Sequence, residues 1–304
     1  MTDRLESMSI LLAVADAGSF SAAAVQLKIP LATVSRKVGA LEKHLNARLL
    51  NRTTRQLSLT EAGQAYVDAC RRILEQVNEA ERIASGEYVS PRGNLVITAP
   101  IALGRLHVLP VVTEFLKSYP EIDVRMVLTD DLVSLVEEHV DVAVRIANLP
   151  DSNLVATRIG LMRTIVCASP AYVAEHGTPT TPNELTGHSC VTYEQMSHRQ
   201  SWGFVSDKSE FTVPVHSRLS VSTAEAAIDA AVAGIGITRV QSYQMANALH
   251  AGLLKVLLER FEPAPRPINL IHTGQGVLPL KVRTFFDFAG SRLRDRMKKT
   301  GVCY

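Results

Sequence analysis

The sequence predicts an α/β protein whose N-terminal part is dominated by helices and carries a winged helix-turn-helix. Three observations carry this expectation. Two helical stretches between Ser21 and Leu45 are joined by Lys28-Ile29-Pro30, the spacing of a helix-turn-helix. A long helical stretch from Thr60 keeps one narrow seam of apolar residues. Beyond Leu95 the pattern changes to alternating strands (among them Leu95–Thr98, Val124–Leu128, Val142–Ile146, Thr164–Ala168 and Ile235–Arg239) and helices (centred on Val108–Tyr119, and at Leu132–Glu138), the mark of an α/β sheet. With 304 residues, 46% of them hydrophobic, the chain has room for two or three domains with ordinary buried cores.

The elements follow in order. Arg4 to Ala17 is a helix with Leu5, Met8, Leu12 and Ala15 at spacings of three and four, closed by Gly18 as C-cap. Ser21 to Leu27 is a second helix, with Ser21 as its expected N-cap and Phe20 stapling its start. Pro30 pushes the residue before it out of helical geometry and opens a third helix, Leu31 to Leu45. There Val34, Val38, Leu41 and Leu45 form the inward stripe, and Gly39 suggests a close approach to the first helix. Leu31, Ala32, Thr33, Ser35, Arg36 and Lys37 are left for a groove and its backbone, since the N-terminal turns of a recognition helix meet the bases. Ser and Thr bond bases or phosphates and Arg36 can do so bidentately, whereas Leu31 and Ala32 offer only contact with thymine methyls.

Charge agrees. The net charge is +2, but Lys28 to Arg55 holds seven basic residues against one acid, Glu42. A solvated helix face would also account for such a run; on a helix-turn-helix it suits phosphates. After Asn46, a left-handed cap, two alternating segments flank Thr53-Thr54-Arg55 and read as a basic wing that also contains Arg52. Thr60 caps the next helix, with Glu61 in its first turn. Its seam of Ala62, Tyr66, Ala69, Ile73, Val77, Ala80 and Ala84 runs for about 37 Å at 1.5 Å per residue and calls for a partner helix, its own domain or a second copy.

Five fragments, in order, resemble the LysR-type transcriptional regulators: Gly18-Ser19-Phe20-Ser21-Ala22-Ala23-Ala24, Val34-Ser35-Arg36, Ala40-Leu41-Glu42, Arg52-Thr53-Thr54-Arg55 and Leu59-Thr60-Glu61-Ala62-Gly63. Pro150-Asp151-Ser152-Asn153-Leu154 and Cys167-Ala168-Ser169-Pro170-Ala171-Tyr172 are similar to the malate-responsive, CrgA-like branch. Where the family commonly reads Ser-Gln-Pro-Ala, this chain has Pro30-Leu31-Ala32-Thr33, so the usual glutamine contact has no counterpart. The resemblance implies a winged helix-turn-helix with DNA contacts from Ser21, Leu31, Ala32, Thr33, Ser35, Arg36, Lys37, Arg52, Thr53 and Arg55. It also implies a dimer through the linker helix, usually a tetramer, and a two-lobed periplasmic-binding-protein-like (type 2) effector domain. The corresponding limits are residues 1–59, 60–90 and 91–304, with a first lobe of about 91–163 and 267–304 and a second of about 164–266.

Ligands of open α/β sheets sit beyond the carboxyl ends of strands. Here those ends are Thr98-Ala99-Pro100-Ile101, Thr129-Asp130 and Arg145, faced by Ser222-Thr223 at a helix start that favours anions. The expected effector is a small organic anion. Arg145 interrupts the apolar Val142-Ala143-Val144, so it either contacts that ligand or pairs with Asp130 or Asp131. Ser222 and Thr223 also read as plain helix caps, a role compatible with ligand binding, and Trp202 and Phe204 are assigned to the core of the second lobe.

Other functions lack their motifs. The sequence contains no G-x-S-x-G, Walker A, H-E-x-x-H or strand-linked G-x-G-x-x-G pattern, and its nine histidines and four cysteines show no ligand spacing. No enzyme activity, metal or cofactor is expected. No signal peptide or run of about 18 apolar residues is found, so the expected location is cytoplasmic, with DNA, effector, a second copy and, for an activator, RNA polymerase as partners. The alternative, a solute-binding protein of the same two-lobe fold, requires export and leaves the N-terminal part unexplained.

Overall fold

The structure, a computed structural model, describes residues 4–52, 57–85, 90–131, 134–135, 138–148, 154–193, 201–273 and 278–299. It divides into two units, Met1–Ser90 and Pro91–Tyr304.

The first unit comprises α1 (Arg4–Ala17), α2 (Phe20–Leu27), α3 (Leu31–Leu45), a hairpin of β1 (Leu50–Arg52) and β2 (Leu57–Leu59), and α4 (Glu61–Ser85). Gly18, at φ +64°, turns the chain out of α1. That turn leaves Ser19 in extended backbone, and its hydroxyl accepts from Ala22 N at 3.0 Å. Ser19 is therefore the cap expected of Ser21, which lies in the first turn of α2 and is exposed. Ile10, Leu11 and Val14 of α1 close over Ala23, Ala24, Val34, Val38, Leu41, Leu49 and Val67. Each fully buried aliphatic side chain contributes about 1.5–3 kcal/mol. Gly39 does not mark a close approach: a Cβ there would meet nothing within 4 Å. The glycine that sterics require is Gly63, where a Cβ would stand 1.9 Å from the Leu49 carbonyl oxygen. Thr60 caps α4 as expected, its hydroxyl accepting from Gly63 N at 2.9 Å.

In the second unit, β3 (Gly93–Ala99) leads at once into a helix: α5 (Ile101–Leu103), a π-helical turn over Gly104–Val108, then α6 (Leu109–Ser118). The helix expected from Val108 starts at Ile101 because Asp130 Oδ1 accepts from Ile101 N at 3.1 Å and so caps it. Strands β4 (Ile122–Leu128), β5 (Val142–Ile146) and β6 (Leu154–Met162) follow. Of the helix expected over Leu132–Glu138, the described Ser134, Leu135 and Glu138 form a turn in which Glu138 N donates to Ser134 O at 3.0 Å; the rest lies outside the described residues.

The chain then crosses to a second sheet and builds β7 (Thr164–Ala168), α7 (Pro170–His176), β8 (Ser189–Tyr193), the hairpin of β9 (Ser201–Ser206) and β10 (Ser209–Pro214), β11 (His216–Val221), α8 (Ala224–Val232), β12 (Ile237–Gln241), α9 (Ser242–His250) and β13 (Lys255–Leu257). It returns through β14 (Arg266–Thr273) and ends in α10 (Leu280–Lys299). The first sheet has the order β4-β3-β5-β14-β6 and the second β11-β8-β12-β7-β13. In the first, β3 runs parallel to β4 and β5 while β14 is antiparallel to β5 and β6. Phe115, with Phe285 edge-on at 5.1 Å, anchors the first core.

The central strands of the second sheet, β8, β12 and β7, are largely buried on both faces, whereas the edge strand β11 is mostly exposed. In β7, Ile165 and Cys167 enter one cluster and Val166 and Ala168 the other. Trp202 and Phe204 lie in the latter, as expected. Cys167 and Cys190 stand in opposite clusters, with β12 between their strands. Two strand spacings separate them by roughly 9–10 Å, beyond disulfide reach. Burial pushes each thiol up to about 12, which leaves them protonated and unreactive.

Arg163 stands at the outward crossing, between β6 and β7. Its Nε donates to Glu262 Oε2 at 2.8 Å, and its Nη2 donates to Glu262 Oε1 at 3.0 Å and Glu259 Oε1 at 2.6 Å. Both glutamates belong to the return crossing, so one guanidinium ties the two passages together. Arg163→Met should destabilise this unit by about 2–3 kcal/mol, because Glu262 is left partly buried without its charged donor. Calorimetry of the full chain should show that unit's transition at lower temperature; an unmoved transition would contradict the assignment.

Candidate nucleic-acid interface and effector cleft

On α3 the burial of Val34, Val38 and Leu41 rotates the opposite face outward. Leu31 (48% exposed), Ala32 and Arg36 are exposed, while Thr33 and Ser35 are half-buried. Among the described residues Arg36 has no ion-pair partner. Its neighbour Lys37 departs from the expected groove role: its ammonium pairs with Glu6 of α1 and its side chain is only 16% exposed. Glu42, the lone acid, is also turned inward, its Oε1 accepting from Leu49 N and Leu50 N at 2.9 and 3.2 Å. One basic residue and the one acid are thus both engaged internally, so the positive excess counted in the sequence is kept. Leu50 pairs with Leu59 and Arg52 with Leu57 across the wing. Thr53 and Arg55 lie outside the described residues, as does the side chain of Arg52.

Helix α4 offers two faces. Gly63, Val67 and Cys70 turn into the first unit. On the seam, Ala62, Ile73 and Ala80 are exposed, Ala69 and Val77 are half-buried, and Tyr66 packs partly against the first unit's core, so much of the seam stays uncovered by this unit. The side chain of Ala84 lies outside the described residues.

In the second unit a solvent-open cleft of about 170 Å³ is lined by Pro100, Thr129, Asp130, Asp131, Arg145 and Ile146 from the first sheet's strand ends, by Gln241, Tyr243 and Gln244 from the second, and by Arg266. Thr98 is fully buried beneath it and accepts from Arg145 Nη2 at 3.0 Å; Arg145 Nη1 donates to Val144 O at 3.2 Å. Burial pulls the Arg145 guanidinium below its usual range, and the Asp130 carboxylate opposes that pull. Ala99 is fully buried and Ile101 is 47% exposed, and neither lines the cleft.

Ser222 and Thr223 also stand outside the lining. They are exposed at the end of β11, an edge strand, and Thr223 Oγ1 accepts from Ala226 N at 3.3 Å to cap α8. Instead the start of α9 faces the cleft, because β12 is the central strand and ends two residues later than expected, at Gln241. Near Thr223 the two lobes are bridged, Arg105 Nη2 donating to Glu225 Oε1 at 3.3 Å.

Gln241, Tyr243, Gln244, Arg266 and Asp131 as a lining residue were not readable as a site. One signal existed: Gln241 and Gln244 form a reciprocal capping box, with Gln241 N donating to Gln244 Oε1 at 2.9 Å, and its Q-x-x-Q spacing marks a helix start.

Comparison with known proteins gives these sites their family. Residues 5–64 match the bacterial regulatory helix-turn-helix proteins of the lysR family. Residues 89–294 match the LysR substrate binding domain. An HTH-type transcriptional regulator of Xanthomonas campestris pv. campestris is 37% identical over 96% of this chain and 86% of its own length. The regulator CrgA of Neisseria meningitidis serogroup C is 33% identical over 98% and 99% of the two chains. The solved structure of CrgA from Neisseria meningitidis, a LysR-type transcriptional regulator, is similar at a TM-score of 0.60 and 32% identity, covering 95% of this chain and 98% of that one. The exposed face of α3, the α/β cleft and these likenesses lead to one conclusion: the chain belongs to the LysR family of transcriptional regulators, DNA-binding proteins with an effector-binding domain rather than enzymes.

Proposed function

We propose that the chain regulates transcription by placing the N-terminal half of α3 in the major groove of a partly palindromic operator, under control of a small organic anion bound in the cleft. The observation that carries the DNA part is the division of charge on α3. Lys37 and Glu42 are engaged internally, while Arg36 is exposed beside Ser35 and Thr33. Ser21 at the exposed start of α2 and Arg52, Thr53 and Arg55 of the wing are assigned to phosphates, and Leu31 and Ala32 to thymine methyls. The uncovered seam of α4 supports dimerisation through that helix, with a tetramer as a pair of such dimers. Two copies then present two recognition helices to successive major grooves.

In the cleft, Arg145, held over Thr98, is a donor to the effector's polar groups, while the Thr129 hydroxyl is turned to Asp131 Oδ2 at 3.4 Å. The ligand acts only through its unequal affinity for two arrangements of the protein. We assign the regulator to the cytoplasm, without metal or cofactor, and assign it contact with RNA polymerase at promoters it activates. Relatives are named both repressor and activator, so the sign of regulation follows from operator position rather than from this fold.

Two outcomes test the reading. Arg36→Ala should weaken binding to the DNA flanking the protein's own gene by about 1–3 kcal/mol, tenfold or more, in fluorescence anisotropy at physiological salt. Unchanged binding would remove Arg36 from the interface. Thr98→Val and Arg145→Gln should abolish effector-dependent reporter expression and leave operator binding intact; joint loss of both activities would assign these residues to folding.

A further inference from the structure

Two arginines at the junction of the lobes have no carboxylate partner among the described residues. Arg266 opens β14 opposite Met162, the last residue of β6, and is exposed along the cleft. Arg239 lies on β12 opposite Val166 and two residues before Gln241, so it shares the face of Gln241, which also lines the cleft. The crossing Met162–Thr164 passes between the two arginines, since Thr164 pairs with Gln241. Arg239 is half-buried, with the Phe204 ring 5.8 Å from its guanidinium carbon. A guanidinium withdrawn from water demands a hydrogen-bonding anion, and an aromatic face meets only part of that demand.

The other end of the cleft is balanced differently. There Arg145 already has Thr98 and the field of Asp130, and Asp131 adds a second carboxylate. Among the described residues, the positive charge without a carboxylate partner is at the Arg239–Arg266 end.

We propose that Arg239 and Arg266 form a carboxylate subsite spanning the lobe junction, which holds the acidic group of the effector while its hydrogen-bond-donating end faces Asp130 and Asp131. The effector class is then a carboxylic acid bearing a hydroxyl or amino group at its far end, rather than a simple dianion. The guanidinium forks suit a carboxylate bidentately. Burial brings Arg239 down to about 10; Tyr193 opposes that shift and the charge of Arg266 adds to it. Because one arginine comes from each sheet, a carboxylate between them binds better when the lobes are close, which gives the ligand the unequal affinity that a switch needs. This proposal rests on the cleft being the effector site.

Trp202, the single tryptophan of the chain, lies in the same cluster as Phe204 and reports on this spot. Acetate titrated to 50 mM into the full-length protein, against sodium chloride of equal ionic strength, should give a saturable change in Trp202 emission. Arg239→Gln and Arg266→Gln should weaken that response at least tenfold while operator binding stays intact, and Arg145→Gln should retain it. No saturable change in the wild type, or an unaltered response in both glutamine variants, would overturn the subsite. Loss confined to Arg145→Gln would overturn it too while leaving the cleft as the effector site.

Discussion

The effector-binding unit depends on one constraint: the chain passes from the first sheet to the second and back again, and Arg163 ties those two crossings together. The outward passage leaves β6 at Met162 and the return passage enters β14 at Arg266. Between them Arg163 bonds Glu259 and Glu262 through its side chain, while its backbone exchanges hydrogen bonds with Ser242 at 2.9 and 3.2 Å. Those two bonds fix the start of α9 at the crossing. Tyr243 and Gln244 therefore reach the cleft and Ser222 and Thr223 do not. The side-chain bonds to Glu262 are charge-assisted and partly shielded, the class that retains strength against water. A cleft at such a junction has walls from both lobes, so its ligand senses their separation directly.

In the DNA-binding unit the organising principle is allocation of charge. A helix with basic residues all around would bind phosphates without orientation. Here Lys37 is drawn to Glu6 and Glu42 is consumed by the backbone amides that open the wing. Arg36 is left on the face opposite Val34, Val38 and Leu41. The contact of Gly63 with Leu49 then fixes the wing against α4, where any side chain would collide with backbone. Recognition helix, the strands of the wing and the start of the linker helix thereby share one core.

Much of this was legible because periodicity and burial agree. β5 over Val142–Ile146 and β7 over Thr164–Ala168 match the expected strands to the residue, since interior strands buried on both faces leave apolar runs between breaks. The caps at Gly18, Asn46 and Thr60 were also readable, each being set by its own residue type. What escaped depends on distant partners. Ser21 resembled a cap until Gly18 placed Ser19 in that geometry. Helix α9 is too short and evenly mixed to announce itself, and its start is fixed by Arg163, 79 positions away. Ser222 and Thr223 satisfied the local rule for a helix start, but strand order put β11 at the edge and β12 at the centre. A sequence shows strand ends; only topology shows which of them share a cleft.

The most direct test of the account is recovery of DNA cross-linked to the native protein in its own host, followed by sequencing. The account predicts a few discrete sites beside promoters, each containing a partly palindromic element, with recovery lost in a strain carrying Arg36→Ala. Uniform recovery across the genome, or the same sites retained by the Arg36→Ala protein, would contradict it.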